Sequence, residues 1–275
     1  MTIWEAIILG IVEGITEFLP VSSTGHLTIT EKLLGLPVDD PAVTAYTAVI
    51  QVGAIAAVFV YFWRDIARLS VAWTRGLFRP AARADFDYRF GWYVIAGSVP
   101  IGLVGFFGQD VIKGPLRSLW WVAGSLIVWS AAMVYAERVA TQARGEKELT
   151  LVDTLVIGVA QCLALVPGVS RSGATITVGL LRGLDRVTAT RLSFFLSIPA
   201  LTAAGVYQLP EALSDSIGIA PLVIGTLVSF LVAYASVAWL LRFVAHHSIV
   251  TFVWYRLALG AVLIAVLAAG WLAAT

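Results

Sequence analysis

Two short polar stretches and one pair of acids hold most of the side chains in this sequence that could do chemistry. The first polar motif, residues 20–26, reads Pro20-Val21-Ser22-Ser23-Thr24-Gly25-His26. The second polar motif, residues 167–173, reads Pro167-Gly168-Val169-Ser170-Arg171-Ser172-Gly173. Glu13 and Glu17 precede the first motif. Carboxylates for a cation, hydroxyls and an imidazole for attack, and a guanidinium for an oxyanion together favour hydrolysis of a phosphate ester or a diphosphate.

The acid pair has the spacing of a cation site. Glu13 and Glu17 are four residues apart, which places both on one face of a short helix. Two carboxylates this close in an apolar environment repel each other, so one is protonated or the two share a cation. A divalent cation such as Mg²⁺ or Ca²⁺ binds carboxylate oxygens and would satisfy both. The alternative is a pair of acids hydrogen-bonded to backbone where the helix breaks.

The first motif offers a candidate nucleophile. Ser22 or Ser23 lies close in sequence to His26, and a hydroxyl near an imidazole and a carboxylate can be activated as an oxygen nucleophile. Alternatively, one of the two serines is the N-cap of the helix that begins here. Both roles are compatible, because free N–H groups at a helix start also bind phosphate. The sequence does not decide which serine attacks.

The second motif centres on a guanidinium inside an apolar segment. Arg171 needs a strong partner there, and its fork suits a phosphate or a carboxylate. Hydroxyl groups surround it, from Ser170, Ser172 and Thr175. We expect anion binding, because these hydroxyls add nothing to a simple salt bridge. The alternative is a structural ion pair between Arg171 and one of the two acids.

The composition restricts the class of protein. Of 275 residues, 59% are hydrophobic and 13% charged, and the mean hydropathy is +0.90. Soluble domains have about 45–50% apolar and about 25% charged residues, so an ordinary soluble enzyme is excluded. A net charge of +1 and a single cysteine argue against a nucleic-acid binder and a disulfide scaffold. A polytopic membrane protein remains.

The elements that must position these residues are membrane helices. Six stretches have the length of a transmembrane helix: 41–62, 90–108, 118–138, 191–208, 218–241 and 249–273. Residues 3–35 and 151–184 are instead interrupted by the two motifs, and irregular backbone at membrane depth needs protein or a watery cavity around it. We therefore predict an all-α fold with six transmembrane helices and two re-entrant helical hairpins.

The two motifs also indicate an internal repeat within a single membrane domain, 1–275. At a shift of 148 residues, Ser22 aligns with Ser170 and Gly25 with Gly173. Each hairpin is followed by three spans, which predicts two units, 1–140 and 150–275, of inverted topology with a site near the midplane. The arginine-rich loop after the first span is expected to be cytoplasmic. The first hairpin then enters from the outer face and the second from the cytoplasmic face.

The acid pair and both motifs closely resemble those of the bacterial undecaprenyl-diphosphatases of the bacitracin-resistance type. The similarity runs through nearly the whole chain. It implies a plasma-membrane enzyme that removes the terminal phosphate of undecaprenyl diphosphate, recycling the lipid carrier of peptidoglycan synthesis. It also implies dependence on a divalent metal and a site that opens to the outer face.

The resemblance also implies roles for individual residues. Glu13 and Glu17 match the acidic pair and would hold the metal. The catalytic residues would be Glu17, Ser23, His26 and Arg171. The substrate would be bound by Ser170, Arg171 and Thr175. From the motifs themselves we add the hydroxyls of Ser22, Thr24 and Ser172 as substrate-binding candidates.

A secondary transporter or lipid flippase is the main alternative, because inverted repeats with broken helices are typical of transporters. In that case Arg171 binds an anionic headgroup, and the acid pair carries protons or Na⁺. An ion channel is less favoured, since it needs no cluster of serine, histidine and arginine. The expected partners are a polyprenyl diphosphate and membrane lipid. The oligomeric state is left open, with a homodimer as the alternative to a monomer.

Overall fold

The computed structural model describes residues 1–38, 40–108, 118–214 and 218–274, and within these ranges the fold is all-helical, as predicted. No strand occurs in the described part of the chain. The helices are α1 (Ile3–Thr16), α2 (Ser23–Leu33), α3 (Pro41–Tyr61), α4 (Trp63–Phe78), α5 (Phe86–Phe107), α6 (Leu119–Val139), α7 (Leu151–Gln161), α8 (Arg171–Leu181), α9 (Arg186–Ser214), α10 (Ile219–Val244) and α11 (Val250–Ala268).

Six of the described helices, namely α3, α5, α6, α9, α10 and α11, are long and apolar enough to cross a membrane. This confirms the predicted number of spans. Helix α9 begins at Arg186, five residues before the predicted start, because Asp185 accepts a hydrogen bond from the backbone N–H of Thr188 (2.8 Å) and so caps an earlier turn. Helix α11 ends at Ala268, before the predicted end at 273, and Gly270 follows with a φ of +71°.

One helix was not predicted. The arginine-rich loop after the first span contains α4, whose sequence is rich in alanine, leucine and arginine, all good helix formers. Leu69 is buried on one side of α4, whereas the side chain of Arg75 is exposed in its last turn. Asp65 in the first turn and Arg75 in the last turn both complement the helix dipole.

The two interrupted regions form two pairs of short helices. Helices α1 and α2 have 14 and 11 residues, and α7 and α8 have 11 each, so each is too short to cross a bilayer alone. The first polar motif lies between α1 and α2 and continues into α2. The second motif continues into α8 in the same way. The predicted breaks are therefore present, while the re-entry of each pair from one membrane face stays a prediction.

Corresponding helices of the two halves pack against corresponding partners in the other half. Helix α1 packs against α10, and its counterpart α7 packs against α5. Likewise, α3 packs against α10, and α9 packs against α5. The counterparts α3 and α9 contact each other, as do α6 and α11. This pattern supports a repeat in which each half completes the other, whereas the inversion of one half and the bounds 1–140 and 150–275 stay predictions.

Asp153 links the start of α7 to the end of α8. Its carboxylate lies 2.5 Å from Nη2 of Arg144 and 2.8 Å from Nε of Arg182, which follows α8. Burial alone would raise the pKa of the Asp153 carboxyl, but hydrogen bonds from Arg144, Thr150 and Arg182 outweigh burial and hold this pKa well below its ordinary value. The carboxylate therefore stays charged at neutral pH and anchors the pair at its base.

The short helices approach their partners through glycines. A Cβ added at Gly158 in α7 would lie 2.1 Å from the carbonyl oxygen of Gly97 in α5. At the equivalent position in α1, a Cβ on Gly10 would lie 2.6 Å from the carbonyl oxygen of Gly225 in α10. Small residues allow this close backbone approach in membrane proteins, where van der Waals packing replaces the hydrophobic effect between helices.

We expect Gly158→Ala to destabilise the protein by about 1–3 kcal/mol, the usual cost of overpacking, because the added methyl meets backbone that cannot rotate away. The measurement is the midpoint of thermal unfolding in detergent. Gly124→Ala in α6 is the matched control, since no atom lies within 4 Å of the added methyl. Equal midpoints for the two variants would contradict the close α5–α7 packing.

Candidate active site

The two polar motifs, far apart in sequence, contact each other directly. The backbone N–H of Gly168 donates to Ser22 Oγ at 3.1 Å, and Ser172 Oγ donates to the carbonyl oxygen of Leu19 at 2.9 Å. All of the serine side chains involved are buried. The two motifs therefore meet inside the helical bundle.

Each motif starts its second helix in the same unusual way. Ser22 is the N-cap of α2 with a φ of +78°, and Ser170 is the N-cap of α8 with a φ of +77°. A positive φ costs a non-glycine residue about 1–3 kcal/mol. Both side chains offset part of this cost by accepting a backbone N–H, from Gly25 (3.4 Å) and Gly173 (3.1 Å). Two helix N-termini, each a favourable end for an anion, thus begin where the motifs meet.

A buried ion pair crosses from one motif to the acid pair. Nη2 of Arg171 lies 3.1 Å from Oε1 of Glu17, and the two residues are 9% and 4% exposed. Nη1 of Arg171 donates to the carbonyl oxygen of Ser193 in α9 at 3.0 Å. The ion pair that the sequence offered as an alternative is therefore formed. It also holds the guanidinium at the place where an anion would bind.

The two adjacent serines, Ser22 and Ser23, have different hydrogen-bond partners. Ser23 Oγ donates to Oε2 of Glu17 at 2.5 Å, the short distance typical of a hydroxyl bonded to a carboxylate. Ser22 Oγ instead accepts two backbone N–H groups, from Gly25 and Gly168. Ser22 is thus engaged as a helix cap and as a link between the motifs. Ser23 is the serine whose proton already points to a base.

His26 is held by partners other than Ser23. Its Nδ1 lies 2.7 Å from the carbonyl oxygen of Ser22, and its Nε2 lies 2.6 Å from the hydroxyl of Tyr255 in α11. Because a carbonyl only accepts, Nδ1 carries a proton, and the tyrosine hydroxyl can donate to Nε2 or accept from it. The two rings are stacked, with centroids 5.5 Å apart. The imidazole is therefore held by two partners at the edge of the cluster.

The remaining candidate residues divide by burial. Ser170, Ser172 and Thr175 are buried, and Thr175 Oγ1 donates to Ser193 Oγ at 2.7 Å. The hydroxyl of Ser170 lies 3.1 Å from that of Ser172. Thr24 is exposed and lies apart from this network. Nine of the ten predicted site residues are thus buried or half-buried, and Thr24 is the exception.

Within the described residues, Glu13 is the acid of the pair whose carboxylate has no hydrogen-bond partner. Its side chain is fully buried, and both carboxylate oxygens lack a hydrogen-bond partner among the described residues. Glu17, the C-cap residue of α1, lies one helical turn further along the chain, so a divalent cation could bridge the two carboxylates. Within the described ranges no three histidine, cysteine, aspartate or glutamate side chains come together as a metal site. The residues fit a cation that keeps several waters or takes phosphate oxygens, as Mg²⁺ does.

Four residues at the site were not among the predicted ones. Gln51 donates to Oε2 of Glu17 at 3.4 Å, and Ser193 supports both Arg171 and Thr175. Tyr255 holds His26, and Arg256 contacts both motifs. An ionisable residue inside an apolar span is a functional candidate by itself, so the sequence did carry a signal for Arg256. No comparable signal marked Ser193 or Tyr255.

We expect Ser22→Ala to lower the midpoint of thermal unfolding, at a cost of about 1–3 kcal/mol, because it leaves the buried N–H groups of Gly25 and Gly168 without an acceptor. Thr24→Ala, two residues away, is the matched control and is expected to leave the midpoint unchanged. An unaltered midpoint in Ser22→Ala would argue against the link between the motifs.

Comparison with known proteins identifies the family. The family of the bacitracin resistance protein BacA matches residues 6–262. Undecaprenyl-diphosphatase 3 of Frankia casuarinae is 58% identical over the full length of both chains. The undecaprenyl-diphosphatase of Acidothermus cellulolyticus is 58% identical over 97% of each chain, and that of Cutibacterium acnes is 54% identical over 94% of this chain and 95% of its own. The resemblance noted in the two motifs thus extends over the whole sequence, and the chain belongs to the bacitracin resistance protein BacA family.

Proposed function

We propose that this protein hydrolyses undecaprenyl diphosphate to undecaprenyl phosphate and inorganic phosphate, and so recycles the lipid carrier for peptidoglycan synthesis and confers bacitracin resistance. The buried contact of Glu17 with both Ser23 and Arg171 is the observation that carries this proposal. It places a base, a hydroxyl and an anion-binding cation within a few ångströms. Relatives named undecaprenyl-diphosphatase share more than half of the sequence.

Arg171 is the group that binds the diphosphate in this proposal. Its guanidinium exchanges Glu17 for phosphate oxygens, two of which can accept from the fork as a carboxylate does while carrying more negative charge. Backbone N–H groups at the starts of α2 and α8 add donors for the developing charge. Ser170, Ser172 and Thr175 line the arginine side of the site, and Ser193 keeps the guanidinium from turning away.

Ser23 is the preferred nucleophile. Its Oγ attacks the terminal phosphorus, its proton passes to Glu17, and the bond between that phosphorus and the bridging oxygen breaks as undecaprenyl phosphate leaves. Water then hydrolyses the phosphoserine and restores the hydroxyl. A water molecule that attacks directly and gives its proton to Glu17 is the alternative. Glu17 is better placed than His26 as the base, because Ser23 already donates to it.

Glu13 and Glu17 would hold a divalent cation, Mg²⁺ or Ca²⁺. When bound, it supplies positive charge that neutralises the diphosphate and stabilises the charge developing in the transition state. The unpartnered oxygens of Glu13 support this assignment. His26 Nε2, which lies 2.6 Å from the hydroxyl of Tyr255, would in its protonated form donate to a phosphate oxygen and pass that proton to the leaving group.

We further propose that the protein resides in the bacterial plasma membrane, with its site open to the outer, periplasmic side. The exposed arginines of α4, of the loop that follows and of the first turn of α5 support a cytoplasmic position for that end of the bundle. These are Arg64, Arg68, Arg75, Arg79, Arg83 and Arg89. A polyprenyl diphosphate in the surrounding lipid is the expected partner. A homodimer stays a prediction.

Phosphate release from a long-chain polyprenyl diphosphate, measured with purified protein in detergent, tests the proposal. We expect release that chelator abolishes. Arg171→Ala and Glu17→Gln should each lose about 100-fold or more in turnover, since each removes a charge from the reacting centre, while both still insert into the membrane. Arg242→Ala, at an exposed arginine in α10, is the matched control and should retain activity.

Robust turnover by Arg171→Ala would contradict the role of this residue in holding the diphosphate. A well-folded wild-type protein that binds the lipid but releases no phosphate would contradict the phosphatase. That second result would favour the transporter, in which the same arginine binds the headgroup without hydrolysis.

A further inference from the structure

Arg256 in α11 is a buried cation with only neutral partners among the described residues. Its side chain is fully buried. The guanidinium donates to Ser130 Oγ (3.1 Å) and, at 3.5 Å, to the carbonyl oxygen of Ser125, both in α6. It also donates to the carbonyl oxygens of Pro20 (3.0 Å) and Gly168 (2.9 Å). A single planar group is therefore shared between one helix and both polar motifs.

The two motif carbonyls occupy equivalent positions. At the shift of 148 residues that aligns the motifs, Pro20 corresponds to Gly168. Each carbonyl lies two residues before the serine that caps the following helix, Ser22 in one motif and Ser170 in the other. Arg256 thus binds the carbonyl oxygen at the equivalent position of both motifs. These two contacts set the distance between the N-termini of α2 and α8.

We propose that Arg256 is a positioning residue: its guanidinium fork sets the separation of the two polar motifs, and thereby the approach of Glu17 and Ser23 to Arg171. It contacts none of these three residues. It acts through the backbone that carries them, since Leu19 and Pro20 join Glu17 to Ser22 and Gly168 leads into Arg171. The catalytic consequence rests on the proposed function, whereas the effect on motif separation does not.

A purely structural role does not account for this arrangement. An apolar side chain could pack α11 against α6 without the cost of burying a charge. The guanidinium instead offers donors in several fixed directions, which is what two carbonyls from separate segments require. Its neighbour Tyr255 holds His26, so two consecutive residues of α11 orient three parts of the site.

Arg256→Lys is the most discriminating test, because it keeps the positive charge and removes the planar guanidinium that donates to both carbonyls at once. We expect kcat for phosphate release to fall about 100-fold, as expected for a displacement of about 1 Å at a reacting centre. KM should change less than threefold, and the midpoint of thermal unfolding should stay within a few degrees. Arg242→Lys makes the same chemical change at an exposed site and should match the wild type. A wild-type kcat in Arg256→Lys would overturn the proposal.

A double-mutant cycle separates positioning from general stability. Ser172→Ala removes another link between the motifs, the hydrogen bond to Leu19. If both residues act by holding the motifs together, the combined variant should lose less kcat than the product of the two single losses. Losses that multiply, or a loss fully explained by a lower unfolding midpoint, would contradict the proposal.

A distance measurement between two spin labels tests the role of Arg256 without relying on activity. Nitroxide labels on Thr24→Cys and Leu163→Cys, both at exposed positions, would report the distance between the two motifs in a Cys162→Ser background. We expect a broader distance distribution in Arg256→Lys and an unchanged one in Arg242→Lys. If the wild type released no phosphate, the proposed function would fail, and this measurement would still decide the role of Arg256. An unchanged distribution in Arg256→Lys would overturn it.

Discussion

Arg171 brings a positive charge into the interior of a helical bundle, and the buried carboxylate of Glu17 is its counter-charge there. Removing either partner would leave an uncompensated buried charge, at a cost of about 3–5 kcal/mol in comparable pairs. The pair therefore requires that two segments more than 150 residues apart in sequence stay in contact. The serine caps, the hydrogen bonds between the motifs and the glycine-mediated helix packing all maintain that contact.

The same constraint explains why the helices are interrupted. A continuous helix would have satisfied its own backbone and offered few N–H groups to a ligand. Breaking each short segment at a serine with positive φ exposes a helix start, and the serine side chain then caps part of it. The two breaks face each other, so the donors that they expose converge with Arg171, Ser23 and Glu17. The strain of the positive φ is thus coupled to the assembly of the site.

Much of this architecture could be predicted from the sequence. Length and hydropathy located the six spans, and the polar interruptions located both broken segments. The spacing of Glu13 and Glu17, and Arg171 in an apolar segment, pointed to the site because ionisable groups are costly there. Helix α4 was missed because its three arginines and one aspartate lower its hydropathy below that of a span and suggested a loop. Helix ends shifted where a single cap, such as Asp185, decided the first turn.

Other features depend on partners that are distant in sequence. Ser22 and Ser23 are indistinguishable as residue types, and only the backbone angle at Ser22 determines which hydroxyl meets Glu17. Tyr255 and Arg256 act on residues more than 80 positions away, so no local pattern reveals what they bind. His26 is close to Ser23 in sequence, yet its hydrogen bonds are made with Tyr255 and with the backbone.

The central claim is that Arg171 exchanges Glu17 for the diphosphate of a lipid. The most direct test is an experimental structure with a methylene-bridged, non-hydrolysable polyprenyl diphosphate analogue and a divalent cation. The account predicts that the guanidinium of Arg171 contacts phosphate oxygens between the two motifs, while Glu17 turns to the cation beside Glu13. An analogue bound away from both motifs, with Arg171 still paired to Glu17, would contradict it.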